Sequence, residues 1–125
     1  MSGVASRMVA AMAIWCVNCR LQQQSVQAAI AAVGTHDLVY ISLDVDPNEH
    51  AQDLAAYARR EGFDWHFAVA SPEVSRSLAG TFGPEILPPP STPLVLIGPN
   101  GAIITKRLGI ASSTDLVALF KEHLP

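Results

Sequence analysis

Long apolar runs, dense cysteines and a basic stripe are all missing from this sequence. No apolar run approaches the roughly 18 to 20 residues a helix needs to cross a bilayer, so no membrane span is expected. Eight Lys and Arg against eleven Asp and Glu leave a net charge of −3, and the cations, Arg59, Arg60 and Arg76 among them, are scattered along the chain. That excludes the basic face that nucleic-acid binding needs. Two cysteines are too few for the disulfide framework of a small secreted domain, and with two residues between them they tie no distant parts of the chain together. Their purpose is expected to be chemical. Internal repeats, low-complexity tracts and linkers are absent as well.

What is present is a chain of 125 residues, half of them apolar, enough for one compact domain that buries a core without staples or metal. A single domain over 1–125 is expected, with 1–6 a flexible N-terminal segment. The stretch Arg7 to Ile14 could pass for a short signal segment, but no small-residue cleavage site follows it and Trp15 stands where a small residue would be needed. A buried strand over Met8 to Ile14 is the better reading. Membrane attachment would then come only through an anchor in a longer, exported precursor.

Strand-like runs alternate with helical periodicity, which argues for an α/β class. A helix is expected over Val17 to Val33, with Leu21, Val26, Ile30 and Val33 toward the core and Gly34 as its stop. Leu38 to Leu43 reads as a second buried strand. After Asn48 as cap, Ala51, Leu54, Ala55 and Ala58 recur at helical spacing until Gly62. Phe67 to Val69 is a short strand, and Ser71-Pro72-Glu73 starts a helix with Val74, Leu78 and Phe82 as its stripe. Glu85 to Thr92 must be a loop, its three consecutive prolines favouring an extended polyproline conformation. Pro93 to Ile97 and Ala102 to Leu108 flank Asn100-Gly101, a hairpin signal. Ser112 to Asp115 has the form of a capping box, ahead of a last helix with Leu116, Leu119 and Phe120 inward.

Trp15-Cys16-Val17-Asn18-Cys19 lies at the junction of the first strand and its helix. Unpaired N–H groups and the helix dipole there favour a thiolate on Cys16, lowering its pKa. Cys19 lies one turn along the same face, close enough to close a disulfide by attacking a mixed-disulfide intermediate. Cys16 is thus the expected exposed nucleophile and Cys19 the resolving thiol, with Arg20 adding positive potential or simply solvated. Haem attachment would need a histidine in place of Arg20. A closed zinc site would need a second ligand pair, which the isolated His36, His50, His66 and His123 do not supply, so no resident metal or cofactor is expected.

Strand, W-C-x-x-C and helix, followed much later by Thr92-Pro93 opening a hairpin, resemble the thioredoxin superfamily over nearly the whole chain. The resemblance implies a thioredoxin-like fold, a central mixed β-sheet flanked by helices on both faces. It also implies a cis bond before Pro93, which would pack against the disulfide, and a Thr92 backbone that presents itself to an extended substrate. Ile41-Ser42-Leu43-Asp44-Val45-Asp46-Pro47, Asp64-Trp65-His66-Phe67, Ser71-Pro72-Glu73-Val74 and Ile97-Gly98-Pro99-Asn100-Gly101 are similar to the Sco and TlpA-like branch. Sco proteins handle copper through C-x-x-x-C and a later histidine. Here two residues separate the cysteines and Pro90 stands near the histidine's place, so the likeness favours TlpA-like redox chemistry.

That likeness implies a protein-disulfide oxidoreductase exchanging with protein thiols and an upstream redox partner, in an extracytoplasmic setting. The alternative is a Cu(I) chaperone using both cysteines and a third ligand. Many thioredoxins carry a buried acid six residues before the first cysteine, where this chain has Ala10. Val17-Asn18 leaves the potential anywhere from about −270 to −120 mV. Trp15 is expected to shape the substrate surface, and Trp65 and Phe67 to be core. Pro88 to Pro90 should stiffen the rim, and Asp44, Asp46, Glu49 and Asp53 should serve capping and solvation rather than a metal.

Overall fold

A strand covered on both faces must carry side chains that tolerate burial on either side, which is why the continuously apolar first run forms one. In this computed structural model, which describes residues 5–34 and 37–124, that strand is β1 (Ser6–Met12). It starts and stops two residues ahead of the expected Met8 to Ile14, because Ala13 O accepts the Cys16 N–H at 3.1 Å and turns the chain. Ser6, expected in a free segment, is buried in the strand, and its N–H donates to Asp37 O at 2.9 Å. Residues 1–4 of that segment, and His36, lie outside the described residues.

The chain continues through α1 (Val17–Val33), β2 (Leu38–Asp44), α2 (Ala51–Glu61), β3 (His66–Val69), α3 (Pro72–Phe82), β4 (Leu94–Ile97), β5 (Ile103–Arg107) and α4 (Ser113–His123). The five strands form one mixed sheet in the order β3-β2-β1-β4-β5. β1, β2 and β3 run parallel, and β4 is antiparallel to both β1 and β5.

Alternation along β1 sends Met8, Ala10 and Met12 to one face and Val9 and Ala11 to the other. On the first face, Met8 and Ala10 pack with Val26 and Ala29 of α1 and Leu116 and Phe120 of α4, while Met12 packs with Leu54 and Tyr57 of α2. On the second, Val9 and Ala11 meet Leu78 and Phe82 of α3, together with Ile86. Helices therefore flank the sheet on both faces. Trp65 and Phe67 stack with Phe63 against the first core, as half-buried residues. No helix among the described residues is long and apolar enough to cross a membrane.

Caps fall largely where side-chain chemistry puts them. Ser71 and Ser112 accept the N–H groups of Val74 and Asp115 at 3.2 and 3.1 Å. Asn48 does not cap α2. Its N–H donates to Asp46 Oδ1 at 2.8 Å, an Asx turn that delays the helix until His50, whose N–H is taken by Asp53.

Two expectations fail on α1 and the proline segment. Leu21 is 43% exposed, and Gln22 and Gln23 are buried in its stead. The inward face is set by Cys19, Gln22, Gln23, Val26 and Ala29, and Leu21 lies outside that stripe. The three prolines do not stay extended. Pro89–Ser91 forms a 3₁₀ turn, since the prolines' fixed φ suits it and Ser91 and Thr92 N–H groups donate to Pro88 and Pro89 carbonyls at 3.1 and 2.9 Å. The expected cis bond before Pro93 is also absent, all described peptide bonds being trans. Thr92, at φ 45° and ψ 58°, reverses the chain through its left-handed backbone one residue earlier.

Tyr57 donates to Gln23 Oε1 at 2.5 Å inside the core, joining α2 to α1. Tyr57→Phe leaves that buried amide oxygen without its donor and should cost about 1–3 kcal/mol. Urea unfolding checks it; an unchanged midpoint would show that the bond contributes nothing.

Candidate active site

The turn after β1 delivers Cys16 as the N-cap of α1, with extended backbone at φ −82° and ψ 105°. Its Sγ accepts the Cys19 N–H at 3.1 Å, one of the donors a helix start leaves unpaired. The two cysteines form a disulfide across a Cα–Cα distance of 5.2 Å. On the other side, Cys19 Sγ lies 3.2 Å from Pro89 O. In the disulfide no proton stands between them, but on reduction that carbonyl is an acceptor for the Cys19 S–H. One sulfur faces a donor and the other an acceptor, which favours a thiolate on Cys16 and a protonated thiol on Cys19.

Cys16 was expected to be exposed, yet each cysteine is only 3% exposed, packed with Met12, Ala13, Leu54 and Tyr57. The open surface is instead contributed by neighbours, with Trp15 and Val17 each 56% exposed and Leu21 beside them. The Pro89–Ser91 turn covers the other side, tied down by Asn18 Nδ2 donating to Pro90 O at 3.2 Å. Thr92 and Pro93 are buried, and both line a small cavity that also touches Cys19. The structure thus brings together Cys16, Cys19, Thr92 and Pro93, while Trp15, next to Cys16 in the chain, is turned to the Asp46 carboxylate.

The loop from Asp44 to Glu49 holds the residues just before Cys16. Trp15 Nε1 donates to Asp46 Oδ2 at 2.7 Å, Ile14 N–H to Glu49 Oε1 at 2.8 Å, and Val45 N–H to Met12 O at 3.0 Å. Asp46 sits below its ordinary pKa because the Asn48 N–H and then the Trp15 indole favour its charge. Asp44, expected to be solvated, is fully buried. Burial, followed by a hydrogen bond with Glu49, pushes it up to about 7 against the opposing Asp46 N–H. Among the described residues no three His, Cys, Asp or Glu side chains are grouped to hold a metal ion.

No family model matches the sequence, and neither does any curated protein. Solved structures do. A thiol:disulfide interchange protein of the thioredoxin family from Chlorobium tepidum superposes with a TM-score of 0.79 at 21% identity, covering 97% of this chain and 81% of that one. The chain has a thioredoxin-like fold. StoA from Bacillus subtilis matches this thioredoxin-like domain with a TM-score of 0.69 at 12% identity, over 94% of this chain and 83% of its own. A secreted Mycobacterium tuberculosis disulfide oxidoreductase, homologous to E. coli DsbE, gives 0.71 at 12% identity over 94% and 81%.

Several residues of the site escaped the sequence reading. Gln22 donates to Thr92 O at 3.4 Å and accepts the Ala111 N–H at 2.6 Å, so one buried amide ties two loops to α1. Its signal was a polar residue three positions after Cys19, where helical spacing calls for an apolar one. The Pro89 carbonyl and Glu49 left no such mark, since a backbone acceptor and a loop acid look alike at any position.

Proposed function

We propose that this domain is a thiol-disulfide oxidoreductase that cycles Cys16 and Cys19 between disulfide and dithiol by exchange with protein thiols. The observation that carries it is Cys16 at the N-cap of α1, its sulfur accepting the Cys19 N–H while bonded to Cys19. Cys16 attacks and Cys19 resolves. The exposed Trp15 offers an apolar contact to the incoming chain, and the Thr92-Pro93 segment borders the pair.

We assign it to the TlpA-like branch, working outside the cytoplasm on protein thiols with an upstream redox partner. The likeness to StoA and to a secreted disulfide oxidoreductase supports that reading. For a Cu(I) role, no His, Asp or Glu side chain among the described residues is grouped with the two cysteines as a third ligand.

Equilibration of the couple in glutathione buffers tests the proposal. A reversible two-electron couple is expected. A potential near or below about −220 mV makes the domain a reductant and one near −120 mV an oxidant. The proposal fails if no reversible couple appears.

A further inference from the structure

Against Cys19 lies a cavity of about 10 Å³, room for a single water. It is lined by Cys19, Gln22 and Gln23 of α1, Ala10 of β1, Tyr40 of β2 and Thr92, all buried. Two of these carry hydroxyls, Tyr40 OH and Thr92 Oγ1, that are buried without a partner in the protein. A neighbouring hydroxyl, Ser42 Oγ, accepts the Trp65 indole N–H at 2.9 Å and lies near enough to favour the charged form of Tyr40, but the Tyr40 OH makes no hydrogen bond of good geometry to it. Buried hydroxyls are rarely left unpaired, because an unsatisfied one forfeits the hydrogen bonds it had with water. A chamber of one-water size whose largely apolar lining carries two such groups is a setting in which a structural water is held.

The same chamber faces a chemical need. To resolve a mixed disulfide Cys19 must become a thiolate, and that charge requires a hydrogen-bond donor. Pro89 O only accepts. The amide nitrogens of Gln22 and Gln23 already donate, to Thr92 O and Met12 Sδ. Ala10 brings no carboxylate. The groups around the chamber with no partner at all are the Tyr40 and Thr92 hydroxyls, and burial raises the Tyr40 phenol above its ordinary pKa, so it keeps its proton. Cys19 and Tyr40 are the titratable groups that line the chamber. Next along their elements come Tyr57, through Gln23, and Asp44, beyond Ser42 on the same face of β2.

We propose that the chamber holds one water, bound by Tyr40 OH and Thr92 Oγ1, which donates a hydrogen bond to the Cys19 thiolate as it resolves the mixed disulfide. This rests on the redox function proposed above. In that step the Cys19 S–H bond breaks and its sulfur bonds to Cys16 Sγ. The bond from Cys16 to the partner sulfur breaks, the electron pair leaves with the partner, and the proton ends there as a free partner thiol. The two cysteines are oxidised and the partner is reduced. Tyr40 and Thr92 act as positioning residues, through the water.

The reduced domain is mixed with an aromatic disulfide that releases a coloured thiol twice, first on attack by Cys16 and then on resolution by Cys19. In Tyr40→Phe the ratio of second to first rate should fall about tenfold at neutral pH, and the pH midpoint of the second release should rise by about one unit. Thr92→Val carries the same test should Tyr40→Phe not fold. An unchanged ratio and midpoint overturn the proposal, as does a crystal structure of the oxidised domain with no water within hydrogen-bond distance of both hydroxyls. A parent protein that gives no second release would instead refute the redox function itself, so the two failures are distinct.

Discussion

Cys16→Ser protein is expected to show no disulfide turnover above background, while Cys19→Ser protein should accumulate a stoichiometric mixed disulfide with its substrate. The reason lies in the opposite surroundings of the two sulfurs. Cys16 Sγ accepts the Cys19 N–H at 3.1 Å at a helix start, and both the bond and the helix dipole favour negative charge there. Reduced Cys19 meets the Pro89 carbonyl, 3.2 Å away, and holds its proton until an adduct forms. Serine at 16 supplies no thiolate to attack. Serine at 19 still allows attack, but nothing resolves the product. Mass spectrometry of both variants after exposure to an oxidised protein substrate separates them. Adduct on Cys16→Ser and none on Cys19→Ser would reverse the roles, and undiminished turnover by Cys19→Ser would remove Cys19 from the mechanism.

Asp44→Asn is expected to stabilise the domain at pH 8 and to leave it little changed near pH 4. The buried Asp44 carboxyl is pushed up to about 7, above its value in the unfolded chain. For an acid raised on folding, stability is fully present below the unfolded pKa and is lost as pH rises. Between about 4 and 7 the unfolded chain gives up this proton while the folded one keeps it, and above 7 the loss is complete. The span corresponds to about 4 kcal/mol as an upper figure. Asparagine has nearly the shape of the protonated acid. It can still accept the Asp46 N–H and donate toward Glu49, yet cannot ionise. Denaturant midpoints of variant and parent at the two pH values are the measurement. An equal difference at both would show that Asp44 does not carry the proton.

How much of this was legible beforehand follows from the range of the forces involved. The α/β alternation, the length of α1, the Gly34 stop, the serine caps and the Asn100-Gly101 hairpin are written in local chemistry, through periodicity, φ preference and side chains that bond their own backbone. The W-C-x-x-C junction was legible for the same reason, being five consecutive residues at a strand-to-helix turn. Leu21 misled because periodicity marks an apolar residue but not which stripe the sheet covers. Two glutamines took the covered face because Thr92 O, Ala111 N–H, Tyr57 and Met12 stand opposite them.

Sequence alone determined the class, the order of elements and the pair of sulfurs that can do chemistry. Tertiary structure alone decided the surroundings of those sulfurs. The Pro89 carbonyl beside Cys19, the acids behind Trp15 and the chamber under Tyr40 all join residues at least 21 positions from the cysteine or tryptophan they serve. Hydrogen bonds and cavities depend on positions in space, and no local propensity records which distant backbone atom will arrive within 3 to 4 Å of a sulfur.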